Sequence, residues 1–327
     1  MKKKLLITLV IIISILCLSF GGYLIYKHFN QNTNEPKITK ENDNNITLTK
    51  SYSITKGGEY TFTGSIKDGG ITIDTNEEVS ITLNGVSIKN SSGPSIYIKN
   101  SSKTKIILEG DNTLESTTTE DLDASIYSMN ELEITSNGSL TIKSNYGGIL
   151  SKENIVIKSG TFNINSDDTS IKSKKNITVE NGTYNLTTKG DGIHADGMLI
   201  INNGTYEIDA EEGLEATYIK INDGTINIKA SDDGINASNK SDDYDILLEI
   251  NGGTITVSVS EGDTDCIDSN GNIIVNGGTI NLNGNSTWDY DGEATYNGGT
   301  IIENGVETNS VKNSMMMGGL GEEPPRR

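Results

Sequence analysis

The sequence predicts an all-β fold, a single-stranded parallel β-helix (a solenoid) of about ten coils. Turn glycines recur at intervals of 22, 22, 22, 20, 29, 25 and 21 residues, at Gly138, Gly160, Gly182, Gly204, Gly224, Gly253, Gly278 and Gly299. Apolar and polar residues alternate between these turns, as in Val79-Ser80-Ile81-Thr82-Leu83, which is the period of a strand. A helical apolar period and a leucine-rich frame are both missing from the sequence, so the repeat is typical of stacked strands.

Composition agrees with short strands and many turns. Of 327 residues, 36 are glycine and only 4 are proline, a balance that favours strands joined by Asn-Gly and Gly-Gly turns. The net charge of −19 argues against nucleic acid and anionic lipid as partners, because both are bound through lysine and arginine. Cys17 and Cys266 are the two cysteines, and no disulfide framework is expected.

The first element is an apolar segment from Leu5 to Tyr26 that follows Lys2, Lys3 and Lys4. Its length suits a bilayer span, and the lysines favour a cytoplasmic N-terminus. We therefore expect residues 1–27 to be a membrane anchor or a signal peptide. The body then lies on the extracellular face of the cell membrane, or is secreted if the leader is cleaved.

Three further segments follow the leader. Residues 28–50 are polar and without periodicity, as in a linker. Residues 51–305 carry the repeats and are the predicted β-helix domain. Residues 306–327 form a predicted disordered tail. Within the domain, the longest interval contains a polar insertion at residues 239–245, and loops on a rigid scaffold often carry function.

Two columns of residues are expected to fill the core. The aliphatic column occupies the third position of a repeated five-residue motif and comprises Ile149, Ile171, Ile193, Leu214, Ile235 and Ile267. The aromatic column follows the turn glycines and comprises Phe162, Tyr184 and Tyr206. Isoleucine replaces the aromatic residues on later coils, which favours an inward stack over a platform for sugar rings.

The same motif places acidic residues in register. Its first position holds Asp191, Glu212, Asp233 and Asp265, and its fourth holds His194, Glu215, Asn236 and Asp268. Equivalent residues on neighbouring coils lie about 4.8 Å apart, so the carboxylates repel one another and favour a counter-ion. Calcium suits such oxygen donors. The competing interpretation is a solvated acidic face whose carboxylates accept hydrogen bonds from turn amides.

The predicted calcium ligands extend beyond these two columns. Asp289-Tyr290-Asp291-Gly292 forms a separate acidic turn, either a second ion site or a plain turn. The full set of predicted metal ligands is Asp191, Glu212, Glu215, Asp232, Asp233, Asn236, Asp265, Asp268, Asp289 and Asp291.

The repeated Asp-Gly-Ile turns at Asp191 and Asp233, and the Asn-Gly-Gly-Thr turns at Asn251, Asn276 and Asn297, give the chain a family resemblance. It resembles carbohydrate-binding domain-containing clostridial surface proteins. That resemblance implies a right-handed β-helix similar in fold to pectate lyases, bound calcium, and an acidic polysaccharide such as polygalacturonate as ligand. Glu212-Gly213-Leu214-Glu215 and Thr169-Ser170-Ile171-Lys172 depart from the pattern.

Three functions remain open at this point. Calcium-dependent binding without cleavage fits best, with Lys189 and His194 as carbohydrate contacts and a monomeric chain. A lyase needs a strong base beside the metal, for which Lys189 and Lys172 are the candidates; hydrolysis by paired acids is less favoured. A structural surface stalk, whose acids only stabilise the coils, is the third possibility.

Overall fold

The structure, a computed structural model, describes residues 44–262 and 264–314. The predicted leader, most of the linker and the end of the tail lie outside these residues. No helix in the described part has the length and apolar character of a membrane span. The described chain is a β-solenoid of about 11 turns, which confirms the predicted fold class.

Every regular element of the described chain is a strand. In the first half these are β1 (Asn44–Leu48), β2 (Tyr52–Ile54), β3 (Gly58–Ile66), β4 (Ile71–Asp74), β5 (Glu78–Asn90), β6 (Ile96–Asn100), β7 (Lys103–Glu109), β8 (Asp111–Ser116), β9 (Ala124–Ser128), β10 (Leu132–Ser136), β11 (Ser139–Ser144), β12 (Gly147–Ser151), β13 (Ile155–Ile157), β14 (Thr161–Ser166), β15 (Ile171–Ser173) and β16 (Ile177–Val179). In the second half they are β17 (Thr183–Thr188), β18 (Ile193–Ile201), β19 (Thr205–Ala210), β20 (Leu214–Ile221), β21 (Thr225–Ala230), β22 (Ile235–Ala237), β23 (Leu247–Ile250), β24 (Thr254–Val259), β25 (Asp265–Ser269), β26 (Asn272–Val275), β27 (Thr279–Asn283), β28 (Ser286–Tyr290), β29 (Ala294–Tyr296), β30 (Thr300–Glu303) and β31 (Val306–Thr308).

These strands stack in parallel on three faces. Face 1 runs from β2 and β4 through β6, β9, β12, β15, β22 and β25 to β28, and includes the first halves of β18 and β20. Face 2 runs through β7, β10, β13 and β16, then the second halves of β18 and β20, and then β23, β26 and β29. Face 3 runs through β8, β11, β14, β17, β19, β21, β24, β27 and β30. Each coil contributes one strand, or half of a long strand, to each face.

The core columns lie where the sequence predicts them. Successive aliphatic residues pair directly, from Ile149 with Ile171 to Ile235 with Ile267, and Trp288 continues the column on the next coil. These side chains are fully buried. The prediction of an aliphatic core column is confirmed.

The aromatic column is also core, as predicted. The rings of Phe162, Tyr184 and Tyr206 stack with centroids 5.1 and 4.6 Å apart and planes inclined by 5°. The Tyr184 and Tyr206 hydroxyls each donate a hydrogen bond of 3.0 Å, to the carbonyls of Asn181 and Asn203. The buried hydroxyls therefore have partners within their own turns, which removes the cost of burying them unpaired.

The aromatic column explains why a glycine lies two positions before each aromatic residue. Gly182 has a φ of 144°, and a Cβ there would lie 2.8 Å from the Tyr184 hydroxyl oxygen. Only glycine combines this backbone conformation with room for the neighbouring ring. The Gly-Thr-aromatic pattern in the sequence is thus a packing requirement of the turn.

An asparagine ladder stabilises a second turn. Asn202, Asn222, Asn251, Asn276 and Asn297 stack on five successive coils, and each amide donates to the side-chain oxygen of the preceding asparagine at 2.7–2.9 Å. The ladder begins where Asn202 donates to Glu180 at 2.8 Å. It holds the coils in register although the residues are separated by 20 to 29 positions.

Both ends of the solenoid extend beyond the predicted domain. Strand β1 lies in the stretch predicted as linker and pairs with β3. At the other end, β31 pairs antiparallel with β30, and Asn313 and Ser314 donate hydrogen bonds to the carbonyls of Tyr290 and Trp288. These segments give β3, β28 and β30 hydrogen-bond partners on edges that would otherwise be open.

Candidate functional site

The outer surface of face 1 carries one continuous column of side chains. Because its strands pair in strict register, the fourth residue of each motif stands beside its equivalent on the next coil. In chain order the column reads Tyr97, Tyr127, Leu150, Lys172, His194, Glu215, Asn236, Asp268 and Asp289. The predicted registry is confirmed. Asp289, which the sequence presents as part of a separate turn, joins the same column.

The first-position residues form a neighbouring column. The amides of Gly192, Gly213 and Gly234 donate to the carbonyls of Glu212, Asp233 and Asp265 at 2.8–3.1 Å. Asp191, Glu212, Asp233 and Asp265 therefore occupy equivalent positions at the start of face 1 on consecutive coils. Two adjacent columns of carboxyl and amide groups result, as the motif predicts.

His194 lies at the centre of three carboxylates. Its Nδ1 is 2.9 Å from Asp191 Oδ2 and also contacts Glu215, and its Nε2 is 2.9 Å from Asp196 Oδ1. The residue is only 6% exposed. Asp196 was not among the predicted site residues. It lies two positions after His194 on β18, and residues two positions apart on a strand point to the same face.

These contacts keep the imidazole protonated. Burial lowers the pKa of His194, but the hydrogen bonds to Asp191, Asp196 and Glu215 raise it more, to about 10. An imidazolium donates from both ring nitrogens, which matches the contacts on both sides of the ring. His194 is therefore a buried cation and has no ring nitrogen left for a sugar.

Lys240 adds a second cation from the insertion at residues 239–245. Its ammonium contacts Glu215, and the amides of Lys240 and Ser241 donate to Thr217 Oγ1 at 2.9 and 3.0 Å. Burial opposes ionisation of Glu215, yet His194 and Lys240 lower its pKa well below the usual range. No sequence signal marks Lys240, because its partner lies on another coil.

The N-terminal part of the double column is therefore neutralised from within the chain. One ligand atom each from Asp191, His194 and Glu215 lies within 4.8 Å of the other two, a spacing that would also suit a metal. However, His194 is charged, Lys240 pairs with Glu215, and Lys174 lies 3.2 Å from Asp196. Three cations oppose three carboxylates, so this cluster has no excess charge for a metal to neutralise.

The C-terminal part is different. Within the described residues, no lysine or arginine forms an ion pair with Glu212, Asp233, Asp268 or Asp289. Burial and then mutual repulsion raise the pKa of Asp233 to about 6 and of Asp268 to about 7. Burial, followed by the charges of Glu215 and Asp191, also raises the pKa of Glu212. These carboxylates lack a counter-ion of their own.

Asn236 stands in the middle of this group. Its Nδ2 donates to both oxygens of Glu212 at 3.3 Å, while its buried Oδ1 has no hydrogen-bond partner in the described chain. The residue is 8% exposed. Burial of a carbonyl oxygen that accepts no hydrogen bond costs free energy. Asn236 pairs in register with Asp268 on the next coil.

The donor set fits calcium. Carboxylate and amide oxygens are its preferred ligands, and Asn236 offers a buried oxygen that accepts no hydrogen bond within the described residues. Neighbouring carboxylates raise the pKa values of Asp233 and Asp268, and neither residue forms an ion pair in the described chain. Zinc would require histidine or cysteine, and the imidazole here is committed to carboxylates. The residues that would hold calcium are Glu212, Asp233, Asn236, Asp268 and Asp289.

The remaining predicted residues lie around this centre. Asp232 adjoins Asp233 and contributes to its raised pKa, and Asp291 does the same for Asp268. The Asp265 amide donates to Asp233 Oδ1 at 2.8 Å. Lys189 points to a different partner: its ammonium lies 2.7 Å from Asp167 and its side chain is 76% exposed.

A family model and a known relative match this chain in sequence. The model of the family described as carbohydrate-binding domain-containing protein matches residues 49–217 and 192–319. A protein of that description from Acetivibrio thermocellus is 33% identical over 131 residues, which cover 36% of this chain and 46% of the relative. The chain thus matches about half of that relative's length.

One solved structure is also similar. It is described as the polysaccharide lyase-like protein from C. thermocellum in a gadolinium derivative, and the two chains are 24% identical. The match covers 81% of this chain and 96% of that one, with a TM-score of 0.46. Since the family model spans most of the solenoid, the chain belongs to the family of carbohydrate-binding domain-containing proteins.

Proposed function

We propose that this solenoid binds an acidic polysaccharide of the polygalacturonate type, that binding depends on calcium, and that the bound chain is not cleaved. Family membership supports carbohydrate as the ligand class. The observation that carries the calcium dependence is the buried, partnerless Oδ1 of Asn236 among carboxylates that lack a cation.

Charge explains why an ion is needed for binding. The chain carries a net charge of −19, and a uronate polymer is also an anion, so the two repel each other in the absence of a metal. When bound, calcium supplies positive charge between the two sets of carboxylates. Glu212, Asp233, Asp268 and Asp289 would hold the ion, and Asn236 would contribute a neutral oxygen.

The proposal includes a location at the cell surface. The apolar segment at Leu5–Tyr26, flanked by lysines, supports an anchored chain on the extracellular face, or a secreted chain if the segment is cleaved. Calcium is abundant outside cells, where weak sites of this type are used. We propose a monomer, because the described solenoid buries its core columns within one chain.

The test is gel retardation with residues 42–327, which contain the whole described solenoid. We expect polygalacturonate to retard the protein in calcium, and EDTA to abolish the shift. Asp268→Asn should weaken binding about tenfold or more, the effect of losing about 1.4 kcal/mol. Asp209→Asn on face 3 is the matched control and should bind normally.

Two outcomes would contradict the proposal. Retention of the shift in EDTA would show that no metal bridges the two anions. A rise in melting temperature with calcium, without any shift, would favour the structural stalk.

The same protein tests for lyase activity. Lys172 stands beside His194 in the face 1 column, and it is better placed than Lys189 to act as a base near the site. We expect no growth in the ultraviolet absorbance of unsaturated products. Steady growth that Lys172→Ala abolishes would replace binding with elimination.

A further inference from the structure

The insertion at residues 239–245 builds a pocket on the outside of the solenoid. The insertion leaves the stack between β22 and β23, and it faces the turn between β25 and β26 on the next coil. The resulting open pocket has a volume of about 590 Å³ and is lined by Asn239, Ser241, Asp242, Tyr244, Asp245, Ile246, Asn270, Gly271 and Asn272. This size lies within the range of small-molecule sites.

The pocket lining has the chemistry of a sugar site. Sugar hydroxyls both donate and accept hydrogen bonds, and planar amides and carboxylates can engage two neighbouring hydroxyls at once. Asn239, Asn270, Asp242 and Asp245 supply such groups, and their side chains form no hydrogen bond or ion pair within the described residues. Tyr244 adds an aromatic ring with a polar tip, which suits the mixed apolar and polar faces of a pyranose.

The pocket is held in place by contacts outside it. Thr217 accepts hydrogen bonds from the amides of Lys240 and Ser241, and the Lys240 ammonium contacts Glu215. Tyr244 packs over Gly197, where a Cβ would lie 2.9 Å from the ring. Asn272 Oδ1 accepts from the Glu293 amide at 2.8 Å. A loop fixed before binding loses less entropy when a ligand arrives.

Charge limits the class of sugar. Asp242 and Asp245 line the pocket, and no lysine or arginine lies among its lining residues. A uronate carboxylate would be repelled, whereas neutral hydroxyls would form charge-assisted hydrogen bonds to the two carboxylates. The pocket is thus chemically distinct from the calcium-dependent column, although Lys240 joins the same insertion to Glu215.

We infer that the pocket formed by residues 239–246 and the Asn270–Asn272 turn is a calcium-independent binding site for a neutral pyranose. This inference goes beyond the proposed function and does not depend on it. A polysaccharide that contains both uronate and neutral residues could contact the column and the pocket together.

Saturation-transfer difference NMR in EDTA tests the inference. The probes are glucose, galactose and mannose, with galacturonate as the anionic comparison. We expect transfer to at least one neutral sugar, little to galacturonate, and loss of transfer in Tyr244→Ala and in Asn270→Ala. Tyr146→Ala, a partly exposed tyrosine in another turn, is the matched control and should retain the signal.

Two variants are used so that the test still has an outcome if one of them does not fold. Asn270 is exposed, so Asn270→Ala should fold even if Tyr244→Ala does not, and melting temperatures check both. Absence of transfer to every neutral sugar would overturn the inference, as would equal transfer to galacturonate. Persistence of transfer in a folded Asn270→Ala protein would overturn it too. Because EDTA is present throughout, these outcomes are independent of the polygalacturonate shift.

Discussion

His194 shows how a single residue divides the acidic columns into two parts. Its ring contacts Asp191, Asp196 and Glu215 and carries a positive charge. The imidazolium thereby fills the position that a metal would otherwise take between Asp191 and Glu215. Further along the column, Asn236 and Asp268 have no such residue beside them, and calcium is proposed there.

Replacement of His194 should be strongly destabilising in EDTA. His194→Gln leaves three carboxylates close together without their buried cation, and breaking a buried charge pair costs about 3 to 5 kcal/mol. Urea denaturation measures the loss in free energy of unfolding. The control is Lys174→Gln, whose half-exposed pair with Asp196 should contribute less than about 1 kcal/mol. Equal effects from both variants would refute the special role of His194.

The free energy of unfolding should depend on pH over two ranges. The pKa of Asp233 is raised to about 6 and that of Asp268 to about 7, so the folded state binds more protons than the unfolded state above about pH 4. The free energy of unfolding in EDTA should therefore decrease as pH rises from about 4 to about 7. Calcium should stabilise the protein more at the upper end of this window. Asp268→Asn should flatten the dependence.

His194 governs the second window. Its folded pKa of about 10 exceeds the unfolded value, so its contribution is complete below about pH 6.5 and is lost as pH rises toward 10. Urea denaturation between these limits should show a further decline in wild-type stability. The raised pKa of Glu212 adds to the decline at the lower end of this window. His194→Gln should therefore lose the part of the decline nearer pH 10, and an unchanged slope there would contradict the assignment of charge.

At the scale of elements, the asparagine ladder should matter more than single surface amides. Asn251 donates to Asn222 and Glu249 and accepts from Asn276, so Asn251→Ala should cost about 1 to 3 kcal/mol. Asn227→Ala on face 3, which removes one exposed bond to Glu207, should cost less than about 1 kcal/mol. Thermal denaturation compares the two. A smaller effect at Asn251 would show that backbone pairing alone sets the register.

At the scale of the whole molecule, monovalent salt should not replace calcium. A net charge of −19 repels a polyanion, and at about 1 M salt the screening length falls to about 3 Å. Screening removes repulsion without creating attraction between carboxylates. Gel retardation in EDTA with increasing sodium chloride should therefore show no binding to polygalacturonate. Binding that salt alone restores would mean that the contacts are not bridged by a metal.

The sequence by itself determined the fold and the registry. Glycine spacing fixed the coil length, and alternation fixed the strands. The repeated five-residue motif placed Glu215, Asn236 and Asp268 on one line, although the interval between the last two is longer than the usual 21 to 22 residues. This was possible because a solenoid converts distance along the chain into a constant rise, so a repeat in sequence is a neighbour in space. The first strand was missed, since β1 lies in a stretch without visible periodicity.

Only the tertiary structure decided which carboxylates already have a cation. Lys240 reaches Glu215 from an insertion that interrupts the repeat, and Asp289 joins the column from a turn that the motif does not mark. Periodicity predicts the backbone positions of repeated residues, but an insertion has no register, and its side chains settle wherever charge and hydrogen bonds are satisfied. The balance of charge around His194 and the pocket beside Tyr244 both depend on that insertion.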